Sequence, residues 1–392
     1  MLLTMKSALD KITIISFLFF CYSGLLKWID ISFDPAYIFL AISIFGLIGK
    51  LILTPPKIKQ QIVSAYLLFI LFVAWALASS LYTISSSYYI EKIGKLLIIA
   101  YVFLVPVILF KTPSQIKLFI KVFSIFVIFS CIILLYIYYR FEGVEIILYN
   151  VSEDDKIPDY LSLSIFIVSG ILLFMNRKRF FIICGLIIMV PCLILLGARS
   201  PLLLLIGIFV FYALKNAFKK PLYLLLLIGI LFGGIYLLST WQGSERLIDR
   251  FSVLGSSSSD NDSALERIKA INTAVEIIIK STILGIGFGG FGLYYSGFEN
   301  RMTPHNILLE ITSELGIIGL FLFLIFIAQL IVIVRNNKKH FLFYQYSILL
   351  IVIFLFLECF FSTFLTDAKA LFAWAGIMLA SININKQQHA AS

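Results

Sequence analysis

Charge is scarce in this chain. Only 13% of its 392 residues are Asp, Glu, Lys or Arg, against 61% hydrophobic ones. A soluble domain of this length cannot clothe its surface with so few charges, which excludes a globular soluble enzyme. Cysteine is also thin: Cys21, Cys131, Cys184, Cys192 and Cys359 all fall inside hydrophobic runs. None lies in a long polar segment, so neither a disulfide framework nor a thiolate metal site is expected, and the thiols read as buried apolar groups. The one dense acidic run, Glu153-Asp154-Asp155, places adjacent carboxylates in different directions and reads as a solvated face. No metal and no cofactor are expected. The net charge of +10 comes from basic residues scattered over short turns, with no groove-sized patch interleaved with aromatics, so nucleic acid is not an expected partner.

Long apolar runs are abundant instead. Twelve stretches reach or approach the ~20 residues needed to cross a bilayer, near 12–28, 36–53, 62–82, 93–110, 116–139, 158–175, 180–197, 200–214, 221–239, 306–334, 341–363 and 368–384. The expected fold is an all-α polytopic membrane protein of about 12 transmembrane helices, a single membrane domain over 1–392. Eleven further stretches follow the first, so it does not read as a cleaved signal peptide ahead of a soluble protein. With the N-terminus inside, Arg177, Lys178, Arg179, Lys338 and Lys339 fall on the cytoplasmic face, as the positive-inside rule requires. Both termini are then cytoplasmic, and the segment at roughly 240–304, between the ninth and tenth spans, becomes one large exported loop.

That loop carries most of the chemistry. After the run Gly255 to Ser263 a helix is expected from about Ala264 to Lys280, capped by Asp262 or Ser263 with Glu266 in capping-box position. Leu265, Ile268, Asn272, Val275 and Ile279 recur at helical spacing, which predicts an amphipathic helix against the membrane surface or the protein's outer face, with Arg267 near the headgroups. Next, Gly285-Ile286-Gly287-Phe288-Gly289-Gly290-Phe291-Gly292 formally satisfies the G-x-G-x-x-G pattern. It is preceded by a helix, not by the strand of a βαβ unit, so a dinucleotide site is rejected. Its glycines suit a tight turn that folds back over a pocket and whose amides can donate to an anion.

The candidate catalytic residues are Arg199, in Gly197-Ala198-Arg199-Ser200-Pro201, Arg267, and His305, in Thr303-Pro304-His305-Asn306 at the loop-to-helix boundary. Arginine matches two oxygens of a phosphate, and two of them can bracket a diphosphate. An imidazole with an unperturbed pKa of about 6.5 can act as general base or as phosphate ligand, and sequence does not separate the roles. Arg301, Asn306 and Glu310 join Arg199 and Arg267 as candidate substrate contacts. Glu310 and Glu314 share a helix face at i, i+4, whereas Gly316 and Gly319 read as close-packing positions. Glu358 is the most deeply placed acid and has no evident partner in the sequence. A diphosphate outside the cytoplasm implies a lipid carrier, and the chemistry suggested is glycosyl transfer.

The succession Gly197-Ala198-Arg199-Ser200-Pro201, Glu266-Arg267, Leu284 to Gly289, Pro304-His305-Asn306 with Leu309-Glu310, and Glu314 to Gly319 resembles the O-antigen ligase and polymerase superfamily. Many members carry Ser where this chain has Ala198. The resemblance implies a metal-independent, inverting glycosyltransferase of the bacterial inner membrane with its site facing the periplasm. It implies an undecaprenyl-diphosphate-linked glycan as donor, a glycan acceptor, and a chain-length regulator as a possible partner. It also carries Arg199, Arg267 and His305 over as the residues that contact the diphosphate or serve catalysis. Polymerisation of lipid-linked repeat units is preferred over ligation of the finished glycan to lipid A core. A lipid-linked oligosaccharide flippase is the alternative of another class; it is disfavoured because no internal repeat is evident and the candidate charges gather at one face.

Overall fold

A computed structural model describes residues 2–26, 34–53, 56, 58–140, 160–174, 179–217 and 260–389. Every regular element among them is helical: α1 (Leu2–Cys21), α2 (Pro35–Leu53), α3 (Gln60–Ala78), α4 (Tyr88–Leu109), α5 (Pro113–Arg140), α6 (Tyr160–Phe174), α7 (Arg179–Leu196), α8 (Arg199–Ala217), α9 (Asp260–Lys280), α10 (Gly290–Ser296), α11 (Ile307–Asn337), α12 (Phe343–Glu358) and α13 (Lys369–His389). The expected span 221–239, the start of the long loop at 240–259 and the acidic cluster at 153–155 lie outside the described residues.

Among the described residues, five helical segments are long and apolar enough to cross a membrane: Pro35–Leu53, Gln60–Leu81, Tyr88–Leu109, Pro113–Arg140 and Ile307–His340. Five shorter apolar helices accompany them. Their side chains are apolar nearly all round, as lipid and neighbouring helices both demand.

The chain divides into two compact units, the first formed by Met1–Cys21, Ile38–Phe119 and Asp262–Ser392, the second by Tyr22–Tyr37 and Ile120–Asn261. In the first, α4 lies along α13 and α11 along α3. Their junction is aromatic: the Phe69 ring sits 4.8 Å from Phe103, 5.1 Å from Phe326 and 5.3 Å from Phe372, centroid to centroid. Helix ends in this unit are closed by lysines. Lys369 Nζ donates to the Phe20 carbonyl at 2.9 Å, Lys59 to that of Ile382 and Lys50 to that of Leu109. The Phe20 and Leu109 carbonyls lie at the C-terminal ends of α1 and α4, where the macrodipole favours a cation. In the second unit α6 packs on α7 and α8, and Phe166 gathers Tyr22 at 4.9 Å and Phe123 at 5.1 Å.

Two local expectations are corrected. Helix α9 starts at Asp260 instead of Ala264, so Asp262 and Ser263 lie within its first turn and not at the N-cap position. Acidic residues are favourable there against the helix dipole, which extends the helix backwards. Its predicted apolar stripe is exposed, at 59% for Leu265, 54% for Ile268 and 74% for Ile279. The face that packs is Ala270, Ala274 and Ile277, which close on Phe291 with Tyr294, Tyr295 and Leu309 around them. Small residues let the helix come close to α10, which the larger side chains of the other face would prevent.

The second correction concerns Gly316. It is a break inside α11, with φ 67° and ψ −170°, and not merely a packing position. The break leaves carbonyls without i+4 donors, and each finds another: Ser313 O accepts from Ile286 N at 3.1 Å, Glu314 O from Gly287 N at 2.9 Å, and Leu315 O from Trp75 Nε1 at 3.0 Å. Ile317 N donates to Thr282 O at 2.9 Å, so the segment after α9 is stitched to the break. A Cβ at Gly316 would stand 2.0 Å from Ile283 O. Gly316→Ala is therefore expected to cost about 2 kcal/mol or more, from the left-handed φ and the backbone clash together. Thermal unfolding in detergent should show a clear loss for it and little for Gly94→Ala, whose Cβ meets nothing within 4 Å.

Candidate functional site

The site begins at the turn that enters α11. Asn306 is the N-cap: its side-chain oxygen accepts from Leu308 N at 3.0 Å and Leu309 N at 3.2 Å. Its amide group reaches the Phe360 carbonyl at 3.4 Å, and Ile307 N donates to Cys359 O at 3.0 Å, which pins the turn to the end of α12. With Asn306 committed in this way, His305 takes φ 53°, the one non-glycine residue in left-handed conformation among those described. Its ring is half-buried, and Nδ1 has no hydrogen-bond partner among the described residues; the same holds for Oγ1 of the buried Thr303. Burial first, and the Arg267 guanidinium second, push the imidazole below its ordinary pKa, while Glu310 and Glu266 pull the other way. His305 is consequently neutral near pH 7, with a lone pair to offer.

Below this turn lies a buried ion cluster that sequence reasoning missed. Lys92 of α4 places Nζ 2.7 Å from Glu310 Oε1 and 2.7 Å from Glu314 Oε2, and all three side chains are 0–1% exposed. The i, i+4 spacing of the two acids brings both to the same ammonium. Glu310 Oε2 also accepts from Leu365 N at 2.8 Å, and Glu314 accepts from Gly289 N at 3.0 Å and Phe291 N at 3.3 Å. The Phe288 ring covers the ammonium at 4.8 Å. Charges this deep are tolerated only when every one is paired and hydrogen-bonded.

The glycine turn behaves differently from the sequence expectation. Its amides do meet an anion, and that anion is Glu314. Gly285 N donates to Ser281 O, Ile286 N to Ser313 O, Gly287 N to Glu314 O, Phe288 N to Ser79 Oγ, and Gly290 N to Gly287 O. With Gly289 and Phe291 held by the Glu314 carboxylate, each amide from 285 to 291 is committed within the protein. The turn is a clasp and is not a substrate cradle. At Gly287 only glycine fits: φ is 87°, and a Cβ would fall 2.2 Å from Thr83 Cα.

The other predicted contacts take definite places. Glu310 is fully buried in the ion cluster. Arg301 is exposed, with Nε 3.1 Å from Glu91 Oε1, and Glu91 is shared with Lys95 at 3.0 Å. Glu299, unremarked in the sequence, accepts from Ser85 Oγ at 2.8 Å, Ser86 N at 2.6 Å and Tyr88 N at 3.2 Å, capping α4 from a distant segment. Arg199 opens α8 in the second unit, half-buried, just after Gly197 in left-handed conformation at φ 63°. Arg267 and His305, both in the first unit, stand within electrostatic reach of each other. The signal for Lys92 was present in the sequence: two acids on one face of an apolar helix require a cation from a neighbouring one.

Residues 184–324 match the family model described as O-antigen ligase. The match covers this middle stretch of the chain and supports a place in the O-antigen ligase and polymerase superfamily. The chain is also similar to a protein of Rickettsia typhi that carries the provisional name of polysaccharide ligase, with 27% identity over 292 residues, which is 69% of this chain and 68% of that one. Both likenesses support a glycosyltransferase-type enzyme acting on polysaccharide, and the helices long and apolar enough to cross a membrane agree with them. The superfamily match contains Arg199, Arg267, His305, both acids of the ion cluster and the glycine turn, but Lys92 lies outside it. Lys92→Met should cost about 3–5 kcal/mol in thermal unfolding, because two buried carboxylates lose their cation. Adding Glu310→Gln and Glu314→Gln to that variant should return a large part of the loss.

Proposed function

We propose that the protein transfers a glycan from an undecaprenyl-diphosphate-linked donor to the sugar end of a second lipid-linked repeat unit, without a metal, at the periplasmic face of the bacterial inner membrane. The observation that carries this reading is the turn at His305: a neutral, half-buried imidazole with an unpartnered Nδ1, beside the Arg267 guanidinium. In the reaction the acceptor hydroxyl oxygen bonds to the anomeric carbon and its proton passes to His305. The bond from that carbon to the diphosphate oxygen breaks, and the electron pair leaves with the diphosphate, whose charge Arg267 balances. Attack opposite the leaving group inverts the anomeric configuration. Arg199, in the second unit, is a candidate diphosphate contact on the strength of its motif alone. Arg301, Asn306 and Glu310 act by position: Arg301 ties the loop to Glu91, Asn306 fixes the turn, and Glu310 fixes the start of α11.

A second reading is ligation of the finished glycan to lipid A core, favoured by the word ligase in both the matching family and the Rickettsia typhi protein. Loss of the gene separates the two. Surface polysaccharide showing core with a single repeat unit is expected for the polymerase; bare core with accumulated lipid-linked polymer would establish the ligase. Core without any exported lipid-linked unit would point to a flippase and overturn both.

The base role has its own signature. Transfer by purified protein should rise with pH through a midpoint below about 6.5, since burial and Arg267 hold His305 down. Removing the guanidinium with Arg267→Gln removes one of those two effects, so the residual activity should show its acid limb at higher pH. An unmoved limb would assign His305 as a phosphate ligand. Arg199→Ala, Arg267→Ala and His305→Ala, each checked for membrane insertion, should each abolish the polymer ladder.

A further inference from the structure

Helix α9 turns only one of its faces to the protein. With about 100° of rotation per residue, Ala270, Ala274 and Ile277 share the side that packs on α10, and Leu265, Ile268, Ile271, Val275 and Ile279 share the opposite one. All five of the latter are exposed, and Asn272 is the one polar side chain on that face between Leu265 and Ile279. Lys269, Glu276 and Lys280 follow one edge of this stripe, and Arg267 stands at the other. A contiguous aliphatic patch on the outside of a folded chain marks a contact.

Helix α11 indicates with what. Thr282 O accepts from Ile317 N at 2.9 Å, and the break at Gly316 leaves no room for a Cβ beside Ile283, so the end of α9 and the break lie side by side. Ile283 and Leu284 continue the stripe, and Ile317, Phe321 and Leu324 carry it on along α11; all five are exposed. The break also divides α11 by surroundings. From Glu310 to Gly316 every residue is buried, whereas the turns beyond it expose large apolar side chains. At the far end of α11 stand Arg335, Lys338 and Lys339. Counting back from this basic cluster by about 20 residues, the length that spans a hydrocarbon core, reaches the break. Gly316 thus lies at one edge of the core, and at that level the stripe of α9 runs into the lipid-facing side of α11.

We propose that α9 lies along the bilayer surface, with Leu265, Ile268, Ile271, Val275 and Ile279 sunk into the acyl boundary of the leaflet that meets the Gly316 break. The occupant of the stripe is membrane lipid. An interfacial helix of this kind sinks its apolar face by about 5–10 Å, which leaves Arg267, Lys269, Glu276 and Lys280 at headgroup level. A glycan laid on the same stripe would leave its hydroxyls without hydrogen-bond partners. The loop is then held twice, by the clasp at Glu314 and by the leaflet. The proposal rests on α11 crossing the membrane and not on the transfer reaction.

Power-saturation electron paramagnetic resonance of the full chain in lipid nanodiscs tests it. Spin labels are placed singly at Ile279→Cys, Lys280→Cys and Phe321→Cys, and the signal of the unsubstituted protein is subtracted. Dissolved oxygen concentrates in lipid, whereas a nickel chelate stays in water. The ratio of oxygen to nickel collisions should be several-fold higher at Ile279 than at Lys280 and should approach that at Phe321. Adding Ile268→Asp and Val275→Asp, two outward side chains of the stripe, should bring the Ile279 ratio down to that at Lys280. A ratio at Ile279 no higher than at Lys280, with Phe321 still in lipid, would overturn the proposal and leave the span intact. A label at Ile279 shielded from both reagents would also overturn it, because protein and not lipid would then cover the stripe.

Discussion

One ammonium held between two carboxylates, inside a protein built for lipid, is the constraint on which the rest depends. Lys92 comes from α4, Glu310 and Glu314 from α11, and through their remaining oxygens the acids hold Leu365 and the glycine turn. Four segments far apart in sequence are thereby fixed at one point. Such a cluster is poor value as plain stabilisation, since well-packed apolar side chains would do as well. What it confers is uniqueness. Apolar helices in lipid can slide and rotate against one another at little cost, whereas a buried ion cluster with directed hydrogen bonds permits one register.

The break at Gly316 completes this arrangement. An unbroken helix would satisfy its own carbonyls and leave nothing for the loop to bind. By interrupting α11, the chain exposes the carbonyls of Ser313 and Glu314 to the glycine turn, and the Glu314 side chain gathers two amides of the same turn. The long loop is therefore docked through its backbone, and α10 and α9 follow in sequence and in packing. Arg267 rides on α9 and His305 on the turn into α11, so both candidate catalytic groups of this unit are placed by the same few contacts. His305 is further confined by the Asn306 cap, which leaves the imidazole in a left-handed backbone that an ordinary loop would not hold.

Much of this was legible in the sequence. Among the described residues every expected hydrophobic run coincides with a helix, because an apolar segment in lipid must satisfy its backbone internally and so announces itself as an uninterrupted apolar stretch. His305 stands out as one of three histidines and Arg267 by its place in the first turn of the expected loop helix, and the structure brings the two within electrostatic reach. What could not be read was pairing. Glu310 and Glu314 read as two acids on one helix face, Glu310 as a substrate contact, and only the fold shows that Lys92, more than two hundred positions away in the chain, meets them. The glycines read as an anion cradle, and they are one, but for an internal carboxylate. On α9 the face that packs within the protein is not the apolar stripe: burial follows small size at Ala270 and Ala274, while Ile268 and Ile279 stay exposed. Periodicity finds a stripe but does not say what lies opposite it.

The most direct test of the central claim is the distance between spin labels at Leu81→Cys and Phe298→Cys, two exposed positions on either side of the clasp, measured by double electron–electron resonance in lipid nanodiscs. If the ion cluster holds the glycine turn and the His305 turn in a single geometry, the distribution is narrow in the otherwise native protein and broadens when Lys92→Met is added. A distribution equally narrow in both, with the variant properly inserted, would show that the loop is positioned by other contacts and would contradict the account.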